Sequence, residues 1–334
     1  MALRRRHFLA LLGSAVAVGR SPALAQLVER APKIGFLMGL ANDPEAQGRA
    51  KAFEEELEKE GWVAGRDIHV EYRFAAGDAK RTQAFAKELV ALKPALIVGH
   101  STPVVTQLAQ ATRTIPIVFV VVADPVGAGF AASIARPGGN MTGFTNLDPT
   151  ITGKLLMTLR ELTSKLGSAS LMFNPQTVTS GGNFQVYVDA FESAAHSLGI
   201  EAITAKVSDP ADIERAITTL SGKPQPGLIV MPDNFNTVHR NLIVSLAARL
   251  RVPAIYPYRY FVEAGGLMSY GVDVKDLFRR APQYVGRILR GANPGELPIQ
   301  APTKFELVIN LKTAKALNLA VPKILLASTD ALVE

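Results

Sequence analysis

The chain has 334 residues, a net charge of +7 and no cysteine, which excludes disulfides, thiolate metal sites, cysteine nucleophiles and a lipidated cysteine. Its length exceeds what one hydrophobic core usually serves, so two domains are expected. Four arginines and no acid fall in residues 1–25; beyond them 32 basic residues face 29 acidic ones, and the nucleic-acid reading that a basic chain invites loses its support.

The first 25 residues read as an export signal. Arg4, Arg5 and Arg6 precede an apolar run from Phe8 to Val18, and Ala23-Leu24-Ala25 has the small-residue pattern cut by a signal peptidase, leaving Gln26 as the first mature residue. The run is about half of the roughly 20 residues that a membrane-spanning helix needs. An exported, soluble protein in a periplasm is therefore expected, by the general secretory or the twin-arginine route. Arg5-Arg6-His7-Phe8-Leu9 fits the second route in part.

Short β-branched runs then alternate with helical patterns, which predicts an α/β protein with mostly parallel sheets flanked by helices. In the first half, strands are expected at 33–39, 67–74, 95–99, 115–122 and 140–145, with helices at 45–60 and 79–92. A second series follows: helix 154–166, strand 169–173, helix 185–198, strand 200–207, helix 210–220, strand 227–231, helix 237–250 and strand 252–256. A strand at 266–270, a helix at 273–290, a strand at 304–310 and a helix at 313–319 complete the pattern. The stretch from Lys93 to Val118 echoes that from Pro226 to Ile255 as strand, helix and strand, a weak repeat that suggests two lobes of similar build. No Gly-, Ser- or Pro-rich tether separates them, so several crossing segments should join them.

In open parallel sheets, ligands bind beyond the carboxyl ends of the strands, where loops and helix N-termini converge. Six such ends carry polar groups here: Ser101 and Thr102; Asp124; Asn174; Asp233 and Asn234; Tyr256 with Tyr258; and Tyr270 with Asp273. Each has two readings, because Ser, Thr, Asp and Asn also cap helices and close turns without any ligand. As a site, Ser101 and Thr102 at a helix N-terminus suit a carboxylate, Asp124, Asp233 or Asp273 suits an ammonium, and the tyrosines could wall in a side chain. Together they fit an amino acid zwitterion. Trp62, the only tryptophan, lies at the opposite end of the sheet, which counts against a stacked sugar.

Several motifs resemble catalytic ones without their context. Gly127-Ala128-Gly129-Phe130-Ala131-Ala132 fits a dinucleotide pattern with Asp148 at the right distance, but Asp124-Pro125-Val126 separates it from its strand and Pro137 cuts the following helix short. Gly99-His100-Ser101 starts a nucleophile elbow, but Pro103 stands where glycine is needed. The histidines have no metal-ligand spacing. Lys275, Arg279, Arg280 and Arg287 share one side of a helix, which reads as a solvated face. No cofactor, metal or catalytic residue is expected.

Residues 302–317, Pro-Thr-Lys-Phe-Glu-Leu-Val-Ile-Asn-Leu-Lys-Thr-Ala-Lys-Ala-Leu, resemble the closing block of a family of ABC-transporter substrate-binding proteins, in the branch that includes tryptophan- and aromatic-amino-acid-binding lipoproteins. Lys33-Ile34-Gly35-Phe36-Leu37, Arg136-Pro137-Gly138-Gly139-Asn140-Met141-Thr142-Gly143 and Ser269-Tyr270-Gly271-Val272-Asp273 match in kind and order. The resemblance implies a type I periplasmic-binding clamshell, with residues 33–147 and 264–300 in lobe 1 and residues 148–263 and 301–334 in lobe 2. It also implies a monomer that binds a small organic solute, an amino acid among the candidates, between lobes whose strand tips face inward, and delivers it to an inner-membrane ABC permease. The implied cleft falls on the strand ends above. Without a lipidated cysteine the protein should diffuse freely. Two alternatives keep other functions open: a periplasmic sensor feeding a membrane receptor kinase, and an exported hydrolase using Ser101.

Overall fold

A computed structural model describes residues 31–146, 150–163, 165–175 and 185–334. The export signal read in residues 1–25, and Asp148, lie outside these. Five strands, β1 (Lys33–Met38), β2 (His69–Phe74), β3 (Leu96–His100), β4 (Ile117–Val122) and β5 (Met141–Thr145), form one sheet in the order β2-β1-β3-β4-β5, with every pair parallel. β3, β4 and β5 are buried along their whole length, as expected of strands with helices on both faces.

The second sheet has seven strands. β6 (Ser168–Phe173), β7 (Glu201–Lys206), β8 (Pro226–Val230), β9 (Ala254–Tyr256), β10 (Met268–Val272), β11 (Phe305–Asn310) and β12 (Ala331–Val333) run in the order β12-β11-β10-β9-β8-β6-β7. β10 and β11 are antiparallel, and the other pairs are parallel. The architecture is thus the α/β, two-lobe, mostly parallel one expected. No helix among the described residues is long and apolar enough to cross a membrane.

The helices form where local chemistry starts them. Asp43 accepts a hydrogen bond from the Ala46 N–H, with Pro44 in the first turn of α1 (Pro44–Lys59). Asp78 caps α2 (Ala79–Ala91) through the Arg81 N–H, and Asp209 caps α6 (Pro210–Ser221) through that of Asp212. Such caps contribute about 1 kcal/mol each. α2 and α3 (Thr102–Ala111) cover one face of the first sheet. The other face is covered by α1 and by α10 (Val274–Leu289), a helix from much later in the chain.

Helix α10 shows why the lobes cannot be separated at one peptide bond. Its buried residues Val274, Leu277, Phe278, Ala281, Val285 and Ile288 recur at helical spacing, and Phe278 stacks 6.2 Å from Phe36 of β1. The strand just before it, β10, belongs to the other sheet. This corrects the expectation that residues 264–300 all lie with the first lobe. β10 hydrogen-bonds to β9 and β11, and the chain crosses only after Val272. It returns near Gln300, whose N–H donates to Gly143 O while its own carbonyl accepts from the Thr145 N–H at the edge of β5. With the passage from β5 to α4 (Ile151–Leu162), the chain crosses between the lobes three times. A continuous cluster of buried apolar side chains spans them, from Phe36 and Val120 through Phe278, Tyr258 and Tyr260 to Val230 and Ile243.

Because Phe278 ties a helix from the C-terminal part of the chain to the first sheet, Phe278→Ala should lower the unfolding free energy by about 3–5 kcal/mol. Urea unfolding followed by circular dichroism measures this. A loss below about 1 kcal/mol would contradict the packing described.

Candidate functional site

The carboxyl ends of the two sheets face each other. Across the gap Asn234 donates from Nδ2 to Ser101 Oγ at 2.8 Å, Asn146 donates from Nδ2 to the Tyr258 hydroxyl at 3.1 Å, and Arg240 pairs with Asp43 at 3.0 Å. The approach is close enough that a Cβ on Gly39, at the end of β1, would lie 2.2 Å from Asn234 Nδ2.

In the first lobe the tips are bound to one another and strained. Ser101 has φ +82° and Val121 φ +64°, unusual for serine and an outlier for a β-branched residue. Such residues cost on the order of 1–3 kcal/mol each and collect at ligand clamps. Val121 is held there by a register shift in the β4–β5 pairing, the Ser101 N–H donates to Val120 O, and the Ala123 N–H donates to Thr102 Oγ1. Ser101 ends a sharp strand-to-helix turn, yet its hydroxyl meets Asn234, and the neighbouring His100 ring faces Arg49. Among the described residues no base stands beside it.

The three acids expected to hold an ammonium are already engaged to different degrees. Asp233 caps α7 (Asn234–Val238): its carboxylate accepts from the Asn236 N–H at 2.6 Å, Asn236 Nδ2 at 2.9 Å and the Asn174 N–H at 3.0 Å. Burial pushes it up to about 6, against the pull of the backbone N–H groups around it. Asp273 caps α10 through the Asp276 N–H and pairs with Lys304 at 2.8 Å. Burial alone would raise it, but the lysine and the cap bond hold it below its ordinary value. Asp124 closes the turn after β4 by accepting from the Gly127 N–H. For Asp233 and Asp273 the capping reading is the one their bonds support.

Of the three tyrosines expected at strand ends, the structure places Tyr256 and Tyr270 away from the gap and Tyr258 at it. Tyr256, 1% exposed, stacks on Phe261 at 5.1 Å within the second lobe. Tyr270 lies inside β10, opposite Leu307 and 6.0 Å from Phe305. The expected strand ended at Tyr270 and the real one runs to Val272, so a residue read as a tip is an interior one. After β9, Pro257 carries the chain out and Tyr258 reaches the interface instead. Asp273 lines a concavity of about 400 Å³ that shares Tyr258 and Tyr260 with the interlobe interface, with Glu45, Lys275, Lys304 and Glu306 also among its walls.

Sequence reasoning missed a buried polar cluster between the lobes. Arg49 of α1, 1% exposed, donates from Nε to Glu45 at 3.0 Å and from Nη1 to His100 Nε2 at 2.8 Å. Its guanidinium lies 5.5 Å from the centre of the Tyr260 ring of the second lobe and 5.8 Å from that of Phe278. Because arginine only donates, His100 Nε2 must accept, and burial with the adjacent Arg49 charge holds His100 well below its usual range, neutral. The Thr237 hydroxyl donates to Asp233 O, so the Tyr260 hydroxyl, 3.1 Å away, donates to Thr237 Oγ1. A signal was present: Ala46, Arg49, Ala50, Phe53 and Leu57 share one helical stripe, and an arginine on an apolar stripe is out of place unless paired.

Comparison with known proteins gives this arrangement a context. The family model for ABC transporter substrate binding proteins matches residues 38–333. A "Tyrosine-binding protein" of Clostridioides difficile is 30% identical over 283 residues, 84% of this chain and 79% of that one. A solved ABC domain in complex with L-Trp from Streptococcus pneumoniae has a TM-score of 0.82 at 25% identity, covering 91% of this chain and all of that one. A substrate-binding protein with adhesive properties from Clostridium difficile, in its ligand-free, open form, scores 0.66 at 26% identity over 91% of this chain and 99% of its own. The chain belongs to the ABC transporter substrate binding protein family; it is a solute-binding protein and not an enzyme.

The raised Asp233 gives a pH test. An aspartate whose folded value lies above its unfolded one, about 3.9, binds more protons in the native state. Its contribution to stability therefore falls as pH rises from about 4 to about 6 and is flat above. In Asp233→Asn the amide turns an N–H₂ group toward existing donors, destabilising the fold at every pH by about 1–3 kcal/mol. Urea unfolding of both proteins at several pH values should show the wild-type advantage shrinking between about pH 4 and pH 6 and constant beyond. An advantage that grows with pH would contradict the environment described.

Proposed function

From that family membership, we propose that the chain is the extracytoplasmic component of an ABC importer that binds an aromatic amino acid between its lobes and delivers it to a membrane permease. The observation that carries the reading is the meeting of the two sets of strand tips at Ser101–Asn234 and Asn146–Tyr258. A solute there touches both lobes at once. It favours the closed arrangement because only in that state are both sets of contacts made, and a permease can then distinguish loaded from empty protein by shape. The tyrosine for which one relative is named and the L-Trp bound by another support an aromatic side chain, and Tyr258 and Tyr260, 5.4 Å apart, offer it ring surface at the interface.

The site on this reading comprises Ser101 and Thr102 at the start of α3, with Asn234 and Asn174 opposite. Asp124 remains a candidate for the ammonium. Thr102 Oγ1 accepts from Ala123 and retains its own hydrogen for a ligand anion. Export by the leader in residues 1–25 completes the reading.

Calorimetry against tyrosine, tryptophan, phenylalanine, leucine and a set of sugars tests it, with aromatic amino acids expected to bind at micromolar Kd or better. Asn234→Ala should weaken that binding roughly three- to tenfold by removing one interlobe hydrogen bond. Binding of sugars alone would overturn the reading. So would an intact mass, for protein recovered from the periplasm, that retains the leader.

A further inference from the structure

Two buried polar atoms at the lobe interface have no hydrogen-bond partner among the described residues: Arg49 Nη2 and Asn146 Oδ1. They are chemically opposite, one a cationic donor and the other a neutral acceptor. Both side chains are more than nine-tenths buried. An unmet buried polar group is costly, more so when it carries charge, so each calls for a partner.

They belong to one contact chain. The Arg49 guanidinium lies over Tyr260 at 5.5 Å, Tyr260 is 5.4 Å from Tyr258, and the Tyr258 hydroxyl accepts from Asn146 at 3.1 Å. Arg49 and Asn146 come from the first lobe, at α1 and the tip of β5, and the tyrosines come from the second. The other edges of the guanidinium are committed to Glu45 and His100, and the other end of the Asn146 amide to Tyr258. What is left is the Nη2 group, with two N–H donors beside a positive charge, and the carbonyl oxygen of Asn146, flanked by aromatic rings.

We infer that Arg49 and Asn146 read the two ends of the solute's α-amino-acid group, Arg49 Nη2 receiving the carboxylate and Asn146 Oδ1 the ammonium. This rests on the reading above that the solute is an amino acid, and it assigns the carboxylate and the ammonium to Arg49 and Asn146 in place of Thr102 and Asp124. The charge balance fits. Arg49 is offset by Glu45 at 3.0 Å, so a further net charge in the low-dielectric interface would be costly and a zwitterion adds none. A carboxylate on the guanidinium is a charge-assisted bond, the stronger kind. The amide carbonyl accepts from an ammonium without adding a second buried charge.

The test compares each amino acid with its two halves. Tyrosine, tyramine, which lacks the carboxylate, and 3-(4-hydroxyphenyl)propionate, which lacks the ammonium, are titrated into wild type, Arg49→Gln, Arg49→Lys and Asn146→Asp, with tryptophan, leucine and their amines in parallel. Wild type should prefer tyrosine over tyramine by at least about tenfold. Arg49→Gln should lose most of that preference, and Arg49→Lys should keep part of it. Because Arg49→Gln disturbs a buried cluster and can unfold the chain, Asn146→Asp serves as the independent variant: it should bind tyramine more tightly and the propionate more weakly than wild type. Folding of each variant is checked by circular dichroism. If wild type binds no amino acid, the proposed function fails and takes this inference with it. If it binds tyrosine, and folded Arg49→Gln or Asn146→Asp discriminates as wild type does, this inference alone is overturned.

Discussion

Parallel strands deliver all their carboxyl ends to one edge of a sheet, and in this protein two such edges are held facing each other. Everything functional depends on that confrontation. The tips carry helix N-termini, turn residues and strained backbone at Ser101 and Val121, and the groups that meet across the gap come from positions far apart in the chain, 133 residues for Ser101 and Asn234. The lobes are held in this relation by three crossings and by α10, which follows a strand of one sheet and packs on the other. The three crossings are the connections a hinge would use, and the apolar cluster that spans the lobes packs them in this arrangement.

The interface is not a simple apolar seam. Arg49 is enclosed between the rings of Tyr260 and Phe278, bonded to Glu45 and His100. A cation in that position is supported by ring faces on both sides and by a carboxylate at one edge, and a neutral imidazole accepts at another. Such a cluster is costly unless every member is satisfied, which is why the open Nη2 group of the guanidinium and the open carbonyl oxygen of Asn146 carry information. Asp233 is the opposite case: three donors converge on it, so it organises the tip of β8 and the start of α7 and has little capacity left for a ligand.

Much of the architecture was legible along the chain. Buried strands such as β4 are continuous apolar runs, α1 and α10 repeat at helical spacing, and aspartates with a following proline mark helix starts at Asp43 and Asp209. The rule that polar residues at strand ends collect at one edge drew attention to Ser101 and Asn234, which meet across the gap. At Tyr270 it took an interior residue for a tip, because the strand runs two residues further than expected; Tyr256 does end β9 as expected, yet its side chain is buried within the second lobe. It overlooked Arg49 and Asn146, since no local rule pairs residues of α1 and the tip of β5 with the turn after β9.

By itself the sequence determined the alternation of strands and helices, the α/β class, the capping chemistry and the family resemblance, because each depends on residues within a few turns of one another or on an ordered set of short motifs. The tertiary structure decided where the chain passes from lobe to lobe, placing β10 with the second sheet and α10 with the first. It also decided which polar groups are already satisfied and which are open. Those outcomes rest on hydrogen bonds and ring contacts between residues about fifty to more than a hundred positions apart, and the energy of a buried donor or acceptor depends on whether a distant partner arrives, which no stretch of neighbouring residues specifies.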